Sequence, residues 1–243
     1  MKCFIKGYSD KGPVRSNNED RFGFIETDYG IAAIVCDGMG GYKGGAVAAQ
    51  IAVDTLINNF ISLPQNFEPS EEIINIFKIT NDLINKEGIE NPDLSMMGTT
   101  AALLLIKDNI FITAHLGDSR IYLLRNNQIF QLTKDHSRVQ QLMDKLNISY
   151  KKASDMTDKN IITRVLGINE LSKPDISPAK DVKSGDSFIL CTDGLTNFIN
   201  EDDIIDIVSG FPPETASEQL VYLAALRGSD DNITAVVIKT ESD

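Results

Sequence analysis

The chain has 243 residues, 42% of them hydrophobic, enough to bury a sizeable core in a single domain. Its 23 Lys and Arg stand against 35 Asp and Glu, and the formal charge of -12 disfavours an unassisted grip on nucleic-acid phosphates or anionic lipid, while leaving room to concentrate cations. No apolar run approaches the roughly 20 residues that span a bilayer. The three distant cysteines, Cys3, Cys36 and Cys191, fit neither a disulfide framework nor a Cys-x-x-Cys zinc site, so a soluble cytoplasmic protein is expected, with no nucleic-acid or membrane partner.

In chain order, "VRSNNEDRFGF" reads as a strand whose alternation puts Arg15, Asn17 and Glu19 on one face and Asp20 on the other. "IAAIVCDG" is an apolar strand ending on Asp37. Helical spacing follows in "GGAVAAQIAVDTLINNFISL", with Pro64 beyond its end, and in "SEEIINIFKITNDLINKEG", with Ser70 as the expected N-cap and Gly88 as the stop. "GTTAALLLI", "NIFITAHLGD", "SRIYLLRN" and "QIFQLT" predict an antiparallel meander. Ser137 to Leu146 predicts a helix, and the polar "NISYKKASDMTDKN" a mobile surface excursion. The strand "DSFILCTDG", helices over Glu201–Ser209 and Pro213–Arg227, and a last strand "NITAVVIKT" complete the chain. This order predicts an α+β fold of stacked sheets flanked by helix pairs, with residues 1–243 as one domain.

Four carboxylates fall at strand ends in this reading: Asp37, Asp118, Asp193 and Asp231. Gathered at one rim they repel, and coexist only with a hard cation or with raised pKa values. Oxygen ligands favour Mg²⁺ or Mn²⁺ over zinc. A lone Asp-Gly is ordinarily a turn signal; two near-identical strand-Asp-Gly phrases among four such acids argue for a site. Arg15 offers a planar fork for two phosphate oxygens, Glu19 a further acid for the cluster, and Asp20 an anchor for a water or a supporting partner. Gly38, Gly40, Gly41, Gly44 and Gly45 allow a sharp turn that presents a carbonyl, but lack the Gly-Lys-Ser/Thr ending of a phosphate-cradling loop.

The ordered blocks "RSNNED", "VCDGMGG", "GTTA", "AHLGDSRIYLLR", "LTKDHS", "ITRVLG", "LCTDGL" and "SDDNITAVVI" cover essentially the whole chain. Through them it resembles the metal-dependent type 2C Ser/Thr protein phosphatases, the PPM family, in its short bacterial form. The resemblance implies a four-layer α/β/β/α sandwich of two antiparallel sheets flanked by helix pairs. It implies hydrolysis of phosphoserine and phosphothreonine on proteins by attack of a metal-bridging water, opposing a bacterial Ser/Thr kinase, by a monomer. Carried over by position, Asp37 bridges two ions; Glu19 and the Gly38 carbonyl complete one site, Asp193 and Asp231 hold the other, and Asp118 with Asp193 helps bind a third, weaker ion. Arg15 matches the phosphate-binding arginine, and Asp20 is grouped with the catalytic residues. The segment at about 137–161 corresponds to the family's flap.

One departure is Met39, where many eukaryotic relatives carry a histidine that is a candidate general acid; water at the metal centre is the expected donor instead. His115 and His136 are read as packing or turn residues, and Cys36 and Cys191 as small buried hydrophobes, since neither lies in a Cys-x5-Arg loop. A partner-binding pseudophosphatase and a small-molecule or phosphoaspartate phosphatase share this pattern; a calcium module does not, because EF-hand spacing is absent.

Overall fold

Apolar segments of period two pair into two stacked antiparallel sheets in the computed structural model, which describes residues 1–40, 44–168 and 173–242. The first half of the chain forms strands β1 (Lys2–Asp10), β2 (Arg21–Thr27), β3 (Gly30–Cys36) and β4 (Gly38–Met39), then helices α1 (Gly44–Ser62) and α2 (Pro69–Glu90). It continues through β5 (Gly98–Thr99), β6 (Ala101–Lys107), β7 (Ile110–Leu116), β8 (Arg120–Arg125) and β9 (Gln128–Gln131). Helices α3 (Arg138–Leu146) and α4 (Tyr150–Ser154) precede β10 (Asp175–Ile176), β11 (Lys180–Asp181) and β12 (Ser187–Cys191). The chain closes with α5 (Asp193–Thr196), α6 (Glu201–Gly210), α7 (Pro213–Leu226) and β13 (Ile233–Glu241).

One sheet has the order β1-β13-β12-β8-β9 and the other β10-β7-β6-β3-β2, with β11 also pairing with β7. Alternation along a strand feeds two cores at once. In β3, Ala32, Ile34 and Cys36 pack toward α1 and α2, whereas Ala33 and Val35 face the opposite sheet. In β12, Ile189 and Cys191 join the core beneath α6 and α7, and Phe188 and Leu190 turn inward. Three apolar layers therefore hold four structural ones. Between the sheets, the rings of Phe111 and Phe188 meet edge to face at 5.0 Å, both fully buried, each contributing about 1.5–3 kcal/mol of burial.

Local detail departs from the sequence reading in several places. Residues 11–20 form turns rather than a strand, and β2 begins at Arg21; the turn-forming run Pro13, Ser16, Asn17 and Asn18 outweighs the alternation. Helix α2 is capped by Glu68, which accepts the Glu71 N–H at 2.7 Å, with Pro69 in the first turn; Ser70 is inside the helix. It runs through Gly88 to Glu90. The expected meander is divided: β6 and β7 belong to one sheet, β8 and β9 to the other, and the chain crosses between sheets at Gly117–Ser119, where Gly117 has φ +102. The excursion after α3 contains a helical turn of its own, α4. Cys36 and Cys191 are buried and unpaired, as expected. Gly41 lies outside the described residues.

Candidate metal centre

The four strand ends meet at one rim, and because Asp37 leaves one sheet, Asp193 and Asp231 belong to the other, and Asp118 sits on the crossover, the rim is a joint between the sheets. Asp37 follows β3 and is held by its backbone: its N–H donates to Thr100 Oγ1 at 2.8 Å, and its carbonyl accepts from Thr100 N–H and Thr99 Oγ1, both at 2.9 Å. Thr100 Oγ1 in turn lies 2.7 Å from Ser119 Oγ, which ties this strand end to the Asp118 crossover. A Cβ on Gly38 would lie 2.2 Å from the Gly45 carbonyl, so the turn after Asp37 packs on the start of α1 only because both positions lack side chains.

The loop carrying Arg15 and Glu19 is clamped by the buried Asn232 amide. Its Oδ1 accepts the Glu19 N–H at 2.8 Å, and its Nδ2 donates to the carbonyls of Lys11 at 2.9 Å and Asn17 at 2.8 Å. Arg15 thereby reaches Asp231, donating from Nη2 to Oδ2 at 2.8 Å and from Nε to the Asp230 carbonyl at 3.2 Å. Asp20 points the other way, into the interior, where Thr192 and Thr234 donate to its Oδ2 at 2.8 and 2.7 Å.

Arg15, Glu19, Asp37, Gly38, Asp118, Asp193 and Asp231 thus line one cleft of about 630 Å³, together with Met39 and with Asn160 and Ile161 from the excursion; Asp20 sits behind it. Burial and mutual repulsion set the protonation of this group. Burial pushes Asp118 and Asp20 up to about 7. Asp37 is driven well above the usual carboxylate range by burial and by Asp20, Asp193, Asp118 and Asp231, and Asp193 is raised by burial and by Asp231. Burial also raises Glu19, against the pull of Arg15. The Oδ1 atoms of Asp20, Asp118 and Asp193 are buried without a hydrogen-bond partner. Crowded, desolvated oxygens with no donor fit a hard divalent cation, and no thiol or imidazole lines the cleft to favour zinc.

His115, His136 and Asp175 form a second group of ligating type. The two imidazoles stack at 4.5 Å, and Arg164 donates to Asp175 Oδ1 at 2.8 Å while lying 2.8 Å from His136 Nε2, so a guanidinium already fills the space a cation would take. His136 Nδ1 accepts the Gly117 N–H at 3.1 Å and its carbonyl accepts from Thr163, which closes the neck of the excursion beside the crossover. Both histidines are packing residues, as their sequence context predicts.

Asn232, Thr100, Ser119, Thr192 and Thr234, which support the acids, went unassigned in the sequence; the signal was their place beside each acid, in "GTTA", "GDS", "CTDG" and "DNIT".

Comparison with known proteins agrees with this geometry. Residues 14–224 match the family model described as protein phosphatase 2C. The protein phosphatase PhpP of Streptococcus pneumoniae is 35% identical over 239 residues, covering 97% of this chain and 96% of its own length. A serine/threonine phosphatase of S. agalactiae superposes with a TM-score of 0.91 at 31% identity, over 99% of this chain and all of its own. The catalytic domain of the serine threonine protein phosphatase PstP, solved with two manganese ions, gives 0.87 at 30% identity, over 99% of both chains. With matches that run from end to end and a rim of crowded acids where two sheets join, the chain belongs to the protein phosphatase 2C family.

Proposed function

We propose that this phosphatase hydrolyses phosphoserine and phosphothreonine monoesters on proteins, with residues 1–243 acting as one catalytic domain and the excursion at 137–161 as its flap. The observation that carries the reading is the convergence of Asp37, Asp118, Asp193 and Asp231, with the Oδ1 atoms of Asp118 and Asp193 buried and unpartnered, beside an exposed arginine fork. In this reading Glu19, Asp37 and the Gly38 carbonyl hold one Mn²⁺ or Mg²⁺, Asp37, Asp193 and Asp231 hold a second, and Asp118 with Asp193 a weaker third. The two manganese ions named for PstP support the first two. When bound, such ions supply an acidified water and neutralise phosphoryl charge, and no nucleophilic side chain is then required.

The chain's own groups do the rest. Arg15 presents two parallel donors to the phosphoryl oxygens, which orients phosphorus toward the acids. Asp20, fixed through Oδ2 by Thr192 and Thr234, stands behind the cleft with its Oδ1 unpartnered, placed to hold a water or to support the acids in front of it. The Met39 thioether carries no proton, so the leaving alkoxide takes its proton from water in the cleft. The names of PhpP, a protein phosphatase, and of the S. agalactiae serine/threonine phosphatase support the reaction class; action against a Ser/Thr kinase, in the cytoplasm and as a monomer, is carried over from the sequence resemblance. Among the described residues no helix is long and apolar enough to cross a membrane.

The test is hydrolysis of a phosphothreonine peptide with Mn²⁺, with Mg²⁺ and with chelator. Turnover should require the metal and fall about a thousandfold in Asp193→Ala, equivalent to roughly 4 kcal/mol of transition-state stabilisation. Turnover that persists in chelator, or in the variant, would overturn the proposal.

A further inference from the structure

On the outer face of its sheet, β1 and helix α7 leave a groove of about 480 Å³ between Tyr8, Asp10, Glu218, Gln219, Val221 and Tyr222. Two phenol rings are held open to solvent, Tyr8 at 40% and Tyr222 at 63% exposure, over the buried edge of Val221. The groove carries two carboxylates and no cation. Glu218 and both phenol hydroxyls bond nothing in the described chain, and Asp10 accepts only the Gly12 N–H, through Oδ1. Some acids elsewhere are paired within the chain, Asp203 with Arg227 and Asp144 with Lys134, whereas Asp10 and Glu218 face a groove with no cation in its lining. Aromatic faces flanked by unspent carboxylates are the complement of an ammonium or guanidinium group.

The position of the groove relative to the catalytic cleft gives it an occupant. Tyr8 pairs with Ala235, four residues along the chain from Asp231, which is about 13 Å of extended backbone. The loop with Arg15 begins directly after Asp10, itself a groove residue, and Arg15 bonds Asp231. A peptide whose phosphate rests on Arg15 would therefore carry a side chain into the groove from four to six positions away. Lys6, exposed on the same face one pleat before Tyr8, repels a second cation and limits the fit to one.

We propose that this groove docks a single lysine or arginine of the phosphoprotein substrate, four to six residues from the phosphorylated side chain. The inference rests on the phosphoprotein reading above. It is tested with phosphothreonine peptides that carry Arg or Glu at the fifth position on either side, with p-nitrophenyl phosphate as a substrate too small to reach the groove. The Arg peptide in one direction should show a threefold to tenfold higher kcat/KM, expressed in KM, as expected of one exposed cation–π contact plus one surface ion pair. The double variant Glu218→Lys, Tyr222→Ala should abolish or invert that preference and leave p-nitrophenyl phosphate turnover unchanged. No preference in the wild type, or a preference that survives the double variant, would overturn the proposal, as would a change of sedimentation coefficient in the variant, which would make a second copy the occupant. Fluorescence anisotropy of the same labelled peptides reads the preference without turnover. Retained Arg preference in binding with no hydrolysis would sink the phosphatase reading and leave the groove standing.

Discussion

The two ends of β12 bear aspartates with buried carboxylate oxygens that solve the same electrostatic problem in opposite ways. At the start, Asp186 is fully buried and receives both prongs of Arg125, Nε to Oδ1 at 2.7 Å and Nη2 to Oδ2 at 2.6 Å, plus the Lys183 N–H at 2.8 Å. Just past the end, Asp193 faces Asp37, Asp118 and Asp231, and its Oδ1 has no donor. A carboxylate whose needs are met inside the chain serves the fold; one left in want of positive charge serves a ligand.

The comparison breaks most visibly at the satisfied end. Arg125→Ala strands a buried charge and should cost about 3–5 kcal/mol in urea unfolding, while the variant that still folds keeps its metal-dependent turnover. At the rim the sign reverses. Asp118 titrates near 7 when folded and near 3.8 when unfolded, so its ionised form opposes folding, with a penalty absent below about pH 4 and complete above pH 7. Asp118→Asn should therefore stabilise the chain in chelator by on the order of 2 kcal/mol at pH 8, and by nothing at pH 4. An unchanged stability at pH 8 would mean the rim acids are not in conflict.

The smallest effect lies beside the crossover. Burial, and then the stacked His115, depress His136 to about 4, below its unfolded value of 6.5. The folded state thus binds fewer protons between those values, and stability falls as pH drops from about 6.5 toward 4. Comparing wild type with His136→Gln should isolate a loss of about 1–2 kcal/mol at pH 5 that the variant lacks. A pH-independent difference would assign the residue to packing alone.

Much of this was legible in the sequence because the rim is written in local phrases. A strand running into Asp-Gly, twice, places Asp37 and Asp193 without reference to anything distant, and periodicity alone finds α1, α6 and α7. The loop bearing Arg15 and Glu19 was misread as a strand because its shape is set by Asn232, more than 200 positions away, through bonds from a side chain to backbone carbonyls that leave no periodic trace. The split of the meander was hidden for a similar reason. Gly117–Ser119 looks like any short turn, and only the docking of the second sheet decides that β8 pairs with β12 rather than with β7. The ends of α2 moved because Pro69 favours the first helical turn over Ser70 as a cap, and a glycine inside a helix costs only about 1 kcal/mol when packing continues past it.

The crossover at Asp118 has a consequence beyond the acids it helps to gather. Since the cluster draws on both sheets, its spacing is a gauge of how the two slabs are stacked, with the Phe111–Phe188 contact as the spacer that sets the reading. With a cation held there as proposed, its affinity would report the registry of the whole sandwich. Thinning that spacer should detune the centre from within the core, without touching a single ligand.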